Sequence, residues 1–111
     1  MTFSSSKVLR NLSSEEVFHF FTSIGNYTGQ SAASLDEFLK RIKGIDAKSL
    51  EFHLLRGDFE KWIAETLGDT QLALEIKSLR LQNVARNVLR DRLDFLVSRR
   101  LKALKSASAL K

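Results

Sequence analysis

The densest polar constellation in this 111-residue chain is His53, Arg56 and Asp58, with Trp62 one turn beyond. On a helix, His53 and Arg56 stand at i, i+3 and share a face. Asp58 opens the next predicted helix, so an imidazole, a guanidinium and a carboxylate can converge at one corner. A corner of that composition suits a small anion or a peptide carboxylate. The plainer reading, and the preferred one, is structural: Asp58 caps a helix, Trp62 packs in the core, and Arg56 pairs with Asp58. Arg56-Gly57-Asp58 also spells an adhesion tripeptide, but its helical setting and an expected intracellular location argue against that use.

Other chemistry finds little support. His19 and His53 belong to no H-x-H or H-x-x-x-H pair, and cysteine is absent, so a metal site would have to be assembled from scattered carboxylates. Each histidine is read instead as partly buried and hydrogen-bonded. No serine sits in a G-x-S-x-G elbow, and Gly25-Asn26-Tyr27-Thr28-Gly29 lacks the lysine of a phosphate loop. The acidic pairs Glu15-Glu16 and Asp36-Glu37 fall in predicted first turns, where negative charge suits the helix dipole. No catalytic residue, cofactor or metal is therefore expected, and the chain is not read as an enzyme.

The net charge of +5 is unevenly spread: residues 1–74 hold 8 basic and 10 acidic side chains, residues 75–111 hold 10 and 3. A basic C-terminal third could serve nucleic acid, an anionic surface or an acidic protein. On a helix, Arg92, Arg99 and Lys102 keep to one side while Arg86 and Arg90 lie on another. The charge thus forms a collar that would contact phosphates without reading sequence. No signal peptide is recognised at the start and no apolar run reaches the ~18 residues of a membrane span. A cytoplasmic setting without membrane contact is expected, and the formal sequons at Asn11 and Asn26 lose their meaning there.

These side chains must be positioned by helices. Proline is absent and glycines number only 5, which argues against an all-β sandwich. Ser13 with Glu16 reads as a capping box that opens a helix from Ser14 to about Ser23. The alternative is a short strand, because Val17-Phe18-His19-Phe20-Phe21 is β-branched and aromatic. Gly25, Asn26 and Gly29 mark a loop. Ser34 with Glu37 opens a helix carrying Leu35, Phe38, Leu39 and Ile42, which Gly44 stops in a left-handed cap. Asp46 caps the next, carrying Leu50, His53 and Leu54 and ending at Gly57. Asp58 caps a helix with Phe59, Trp62, Ile63 and Leu67, stopped by Gly68; Asp69 caps one with Leu72, Ala73, Ile76 and Leu79. From about Asn83 to Lys105 nothing breaks the last helix, about 35 Å long, whose stripe runs through Ala85, Leu89, Leu93, Leu96, Val97, Leu101 and Leu104. Ser4 to Lys7 and Ser106 to Lys111 are expected to fray.

The run Ser49-Leu50-Glu51-Phe52-His53, then Asp58-Phe59-Glu60-Lys61-Trp62-Ile63, then Leu67-Gly68-Asp69 with Leu72-Ala73, resembles a mainly archaeal family of small domains of unknown function. That family shows S-L-x-F-H, D-F-x-x-W-I and L-G-D-x-x-L-A in this order. Phe18-His19-Phe20-Phe21, Ser34 to Leu39, Val88-Leu89-Arg90, Leu96-Val97 and Arg99 extend the likeness over most of residues 14–104. The resemblance implies an all-helical domain in an archaeal cytoplasm with no assigned activity. Some relatives are fused to carbohydrate-active enzymes, which implies an accessory role.

The expected fold is all-α: one domain spanning 1–111, ordered over about 12–105, with five or six helices and a long C-terminal one. The expected function is a non-enzymatic interaction or regulatory module with a protein partner or a second copy, His53, Arg56 and Asp58 forming a candidate ligand pocket. A homo-oligomer is expected because short helices would leave the stripe from Val97 to Leu104 uncovered. The alternative is a nucleic-acid or ribosome-associated protein that uses Arg92, Arg99 and Lys102.

Overall fold

A computed structural model describes residues 4–109. A short helix α1 (Ser5–Leu9) precedes a β-hairpin of β1 (Phe18–Ser23) and β2 (Asn26–Ala32). Five more helices follow among the described residues: α2 (Leu35–Gly44), α3 (Ala47–Arg56), α4 (Asp58–Trp62), α5 (Thr70–Leu81) and α6 (Arg86–Ala109), with a π-helical turn (Ile63–Leu67) continuing α4. The fold is helix-dominated but not all-α.

The hairpin corrects the expected first helix. Ser13 and Glu16 do meet, the Ser13 hydroxyl donating to Glu16 Oε1 at 3.2 Å, and the Glu16 N–H donates to the Ser13 carbonyl at 3.0 Å. They close one turn and the chain then extends. Burial explains why: Phe18 and Phe20 point inward while His19 points out, the period-two alternation of a strand. On a helix, Phe18 and Phe20 would stand on nearly opposite faces. The strand alternative is thus the correct one. The segment read as a loop is the partner strand, pairing Phe18 with Ala32, Phe21 with Tyr27 and Ser23 with Asn26, with a register shift on each side of Phe21. Gly25, at φ +81°, makes the two-residue connection Ile24-Gly25, a left-handed position that glycine takes without strain.

Several helix boundaries obey their caps. Ser34 Oγ accepts from Glu37 N–H at 3.1 Å and Glu37 Oε1 accepts from Ala33 N–H at 2.8 Å. Asp46 caps α3 through Lys48 N–H at 2.9 Å, Gly57 and Gly68 end helices with φ of +76° and +86°, and Asp69 Oδ1 caps α5 through Leu72 N–H at 3.2 Å. Others move. Gly44 is the last helical residue of α2 and not a left-handed cap; the C-cap is Ile45, in extended conformation. Asp58 caps nothing; Gly57 is the N-cap of α4 and Asp58 its first residue. Asn83, at φ +53°, breaks the chain at the expected start of the last helix, asparagine being one of the few non-glycine residues that tolerate this region. Among the described residues the two ends expected to fray are helical: Ser4 caps α1 and α6 runs on to Ala109. Leu110 and Lys111 lie outside them.

α6 has 24 residues, about 36 Å at 1.5 Å each, close to the molecule's longest extent of 40 Å. α2 lies antiparallel along it. Asp36 at the start of α2 meets Lys105 at 2.9 Å, and Lys43 meets Asp94 at 2.8 Å. Arg90 donates to the orphan carbonyls of Ile42 and Ile45, both at 2.6 Å. With α1, α3 and α5 also against α6, Leu89, Leu93, Val97, Leu101 and Leu104 are all buried; Ala85 is exposed. The stripe expected to need a second copy is covered within one chain, partly by α1, whose Val8 is buried.

Candidate functional site

The hairpin, α3 and α4 meet at a cleft of about 540 Å³. α3 contributes Phe52, His53 and Arg56, α4 contributes Asp58, Lys61 and Trp62, and the π turn contributes Glu65. The hairpin supplies Phe21, Ile24 and Gly25. Trp62, 8% exposed, is fixed in the wall: its indole N–H donates to the Glu16 carbonyl at 2.9 Å, and its ring meets Phe18 and Phe38 at 5.4 and 5.3 Å.

His53, Arg56 and Asp58 do come together. His53 is 4% exposed and uses both ring nitrogens. Nδ1 lies 2.8 Å from Asp58 Oδ2, and Nε2 accepts from the Phe21 backbone N–H at 2.8 Å. Since Nε2 can accept only when unprotonated, the ring is the neutral tautomer that donates from Nδ1 to the carboxylate. Burial holds the imidazole below its ordinary value of 6.5, prevailing over the Asp58 bond and charge that favour protonation; Arg56 adds to the lowering. The ring is a strut joining β1 to the α3–α4 corner, with no free nitrogen for a substrate. Arg56 is half exposed and 3.5 Å from Asp58 Oδ2. Its guanidinium lies over the Phe52 ring, 4.8 Å from the centroid, an arrangement that suits cation–π attraction. Asp58 is therefore occupied within the fold, unlike the carboxylate of an adhesion loop.

Lys61 and Glu65, i and i+4 across the π turn, line the cleft and form no ion pair with each other. Neither stands out in the sequence as a site residue, although both lie on the helix predicted to begin at Asp58. Phe21, Ile24 and Gly25 are likewise not visible as cleft residues from a sequence whose pattern predicts a helix and a loop where the hairpin lies. His19 is exposed rather than partly buried. On the hairpin's outer face its Nδ1 lies 2.9 Å from Ser31 Oγ, which also meets Tyr27 Oη at 2.6 Å. Among the described residues no group of three or more His, Cys, Asp or Glu side chains could hold a metal ion.

The basic collar is largely engaged inside the molecule. Arg92 donates to Gln82 Oε1 at 2.7 Å. Arg99 meets Glu75 at 3.3 Å and lies over Phe95 at 5.1 Å. Arg86 pairs with Glu51 at 2.6 Å, Arg90 holds the end of α2, and Arg100 clasps the fully buried Asp69 at 2.7 and 3.1 Å. Lys102 and Arg99 share a shallow surface with Asp91 and Asp94. Lys43 and Ser98 keep the Asp94 carboxyl below its usual range, so the collar carries a firm negative charge of its own. No helix among the described residues is long and apolar enough to cross a membrane.

Residues 2–98 match the family model DUF5752, a family of unknown function. No curated protein and no solved structure shows significant similarity to the chain.

Proposed function

The chain belongs to the DUF5752 family, and for this member of it we propose a non-enzymatic recognition role in which the hairpin–α3–α4 cleft takes a ligand with an apolar group beside a carboxylate, such as the end of a peptide chain. One observation carries the reading: within the cleft, the imidazole is consumed as a strut while the cations are presented. His53 has no free nitrogen, whereas Arg56 is held over Phe52 with half its side chain exposed and Lys61 lines the same wall. Apolar surface from Phe21, Ile24 and Phe52 stands beside two cations and two carboxylates, Asp58 and Glu65, of which Asp58 is already held by His53 and Arg56; a mostly apolar cleft with a few placed polar groups has the form of a binding site.

The test is a titration of the protein with short hydrophobic peptides ending in a free carboxylate, matched against the same peptides as C-terminal amides. Amide chemical shifts and Trp62 fluorescence are the readouts. Free acids should shift Ile24, Phe52 and Arg56, and Arg56→Gln should weaken them by about tenfold, the usual worth of a charged hydrogen bond lost. Equal binding of acids and amides, or shifts elsewhere on the surface, would reject the reading; turnover of the peptide would point to an enzyme instead.

The nucleic-acid reading through Arg92, Arg99 and Lys102 has less behind it. Two of those side chains have partners within the chain, and Asp91 and Asp94 lie on the same surface as Arg99 and Lys102, where a phosphate would be repelled.

A further inference from the structure

A second concavity, of about 560 Å³, runs between α4 with its π turn and α5. Leu55, Ala64, Ala73 and Leu74 supply its apolar surface. Two large side chains there face solvent: Leu55 is 58% and Leu74 64% exposed. Leu81, 67% exposed, stands seven residues beyond Leu74 and extends the same face of α5. These three leucines serve no interior.

The charges around them are one-sided. Arg56, Lys61, Lys77 and Arg80 line the groove against one carboxylate, Glu60. That carboxylate is fully engaged, Arg80 donating to its two oxygens at 2.7 and 3.4 Å. Lys61 and Lys77 form no ion pair among the described residues. A furrow between two helices, apolar in its floor and positive at its rim, is matched by a third helix with an apolar stripe and acidic flanks.

We infer that the α4–α5 groove docks an acidic amphipathic helix of a partner protein, its apolar stripe on Leu55, Leu74 and Leu81 and its carboxylates toward Lys61 and Lys77. A second copy of this chain fits poorly. A two-fold contact would set one positive rim against another, and like charges across an interface cost several kcal/mol. Nucleic acid would meet the cations but leave the leucines exposed. The inference does not depend on the carboxylate cleft: Leu74 and Lys77 line this groove and not that one.

The experiment is a display selection of helical peptides of random sequence on the full chain, with enriched peptides measured by fluorescence anisotropy against wild type, Leu74→Glu and Lys77→Glu. Both replaced side chains are exposed, and circular dichroism checks that each variant keeps its fold; should Leu74→Glu fail that check, Leu74→Ser replaces it. Enriched peptides should carry apolar residues at i, i+3 or i+4, and i+7 with Asp or Glu on both flanks. Their affinity should drop by about tenfold in each variant and weaken with salt. The inference is overturned if no helical binder emerges, if binders lack acidic flanks, or if they bind both variants as tightly as wild type. It is equally overturned if the binders compete with carboxylate peptides for the hairpin cleft and ignore Leu74 and Lys77.

Discussion

Replacing His53 with leucine separates a strut from a space-filler. The imidazole is 4% exposed and lies among Phe18, Phe59 and Phe52, with ring centroids at 4.8, 5.5 and 5.0 Å. By shape alone a leucine should be tolerated there at little cost, or even favoured. The two bonds at 2.8 Å argue otherwise. Their loss strands the Phe21 N–H, a cost of about 1–3 kcal/mol for a buried donor. It also strands the Asp58 carboxylate, which costs less because that side chain is 28% exposed and keeps Arg56 nearby. Allowing for the apolar gain of leucine, the net loss should be about 1–2 kcal/mol, read as a shift in the urea midpoint at pH 8. A second arm uses pH. The native pKa of His53 is lowered from 6.5, so below pH 6.5 the unfolded chain binds the proton first. Stability is complete above 6.5 and declines as pH falls toward the native value. His53→Leu should lack that decline. Equal or greater stability of His53→Leu at pH 8, with parallel pH profiles, would refute the strut and return His53 to the core as filler.

Trp62→Ala should cost about 3–5 kcal/mol in a denaturant titration, as for other core aromatics; a loss below about 1 kcal/mol would move Trp62 to the surface. Asp69→Ala removes the α5 cap and the carboxylate that Arg100 clasps, and should lower stability by about 3–5 kcal/mol, the range for breaking a buried ion pair; a thermal melt unchanged within error would contradict that. Ser49 Oγ is buried with no hydrogen-bond partner among the described residues, so Ser49→Ala should raise stability by about 0.5–1 kcal/mol through restored helix propensity and a removed unsatisfied group. A measurable loss would mean that the hydroxyl is bonded after all.

Capping chemistry is legible where a side chain or a glycine acts on its own turn. Ser34, Asp46, Gly57, Gly68 and Asp69 all do what their local sequence says. The same chemistry misleads at Ser13-Glu16, because a capping box closes one turn whether or not a helix continues from it. The conformation beyond that turn is decided by tertiary burial of Phe18 and Phe20 on one side of a strand. β2 is illegible for another reason: Asn26 to Ser31 is polar and mostly exposed, with no hydrophobic alternation to read, and Gly29 at φ +83° gives it the look of a loop. At the site, residue types and spacing bring His53, Arg56 and Asp58 together correctly. The bond that defines the role of His53 comes from a backbone N–H 32 residues away, and no pattern of side chains announces it. Lys61 and Glu65 are visible as charges on a helix, but their place in a cleft depends on the hairpin that closes it.

The basic C-terminal third shows how a count can be right and its meaning elsewhere. Three carboxylates that α6 engages, Asp36, Glu51 and Asp69, belong to the acidic first part of the chain. The charge asymmetry is therefore in good part complementarity between α6 and the body it lies on. Exposed pairs such as Lys105–Asp36 contribute little to stability. Arg100–Asp69, with its carboxylate fully buried, and Arg90 on the α2 carbonyls specify where α6 sits. Reading those arginines as an offer to an outside polyanion counts the same charges twice. Lys61 and Lys77, by contrast, form no ion pair among the described residues. Both flank exposed leucines on the face of the molecule between α4 and α5, the setting from which the docking of an acidic helix is proposed.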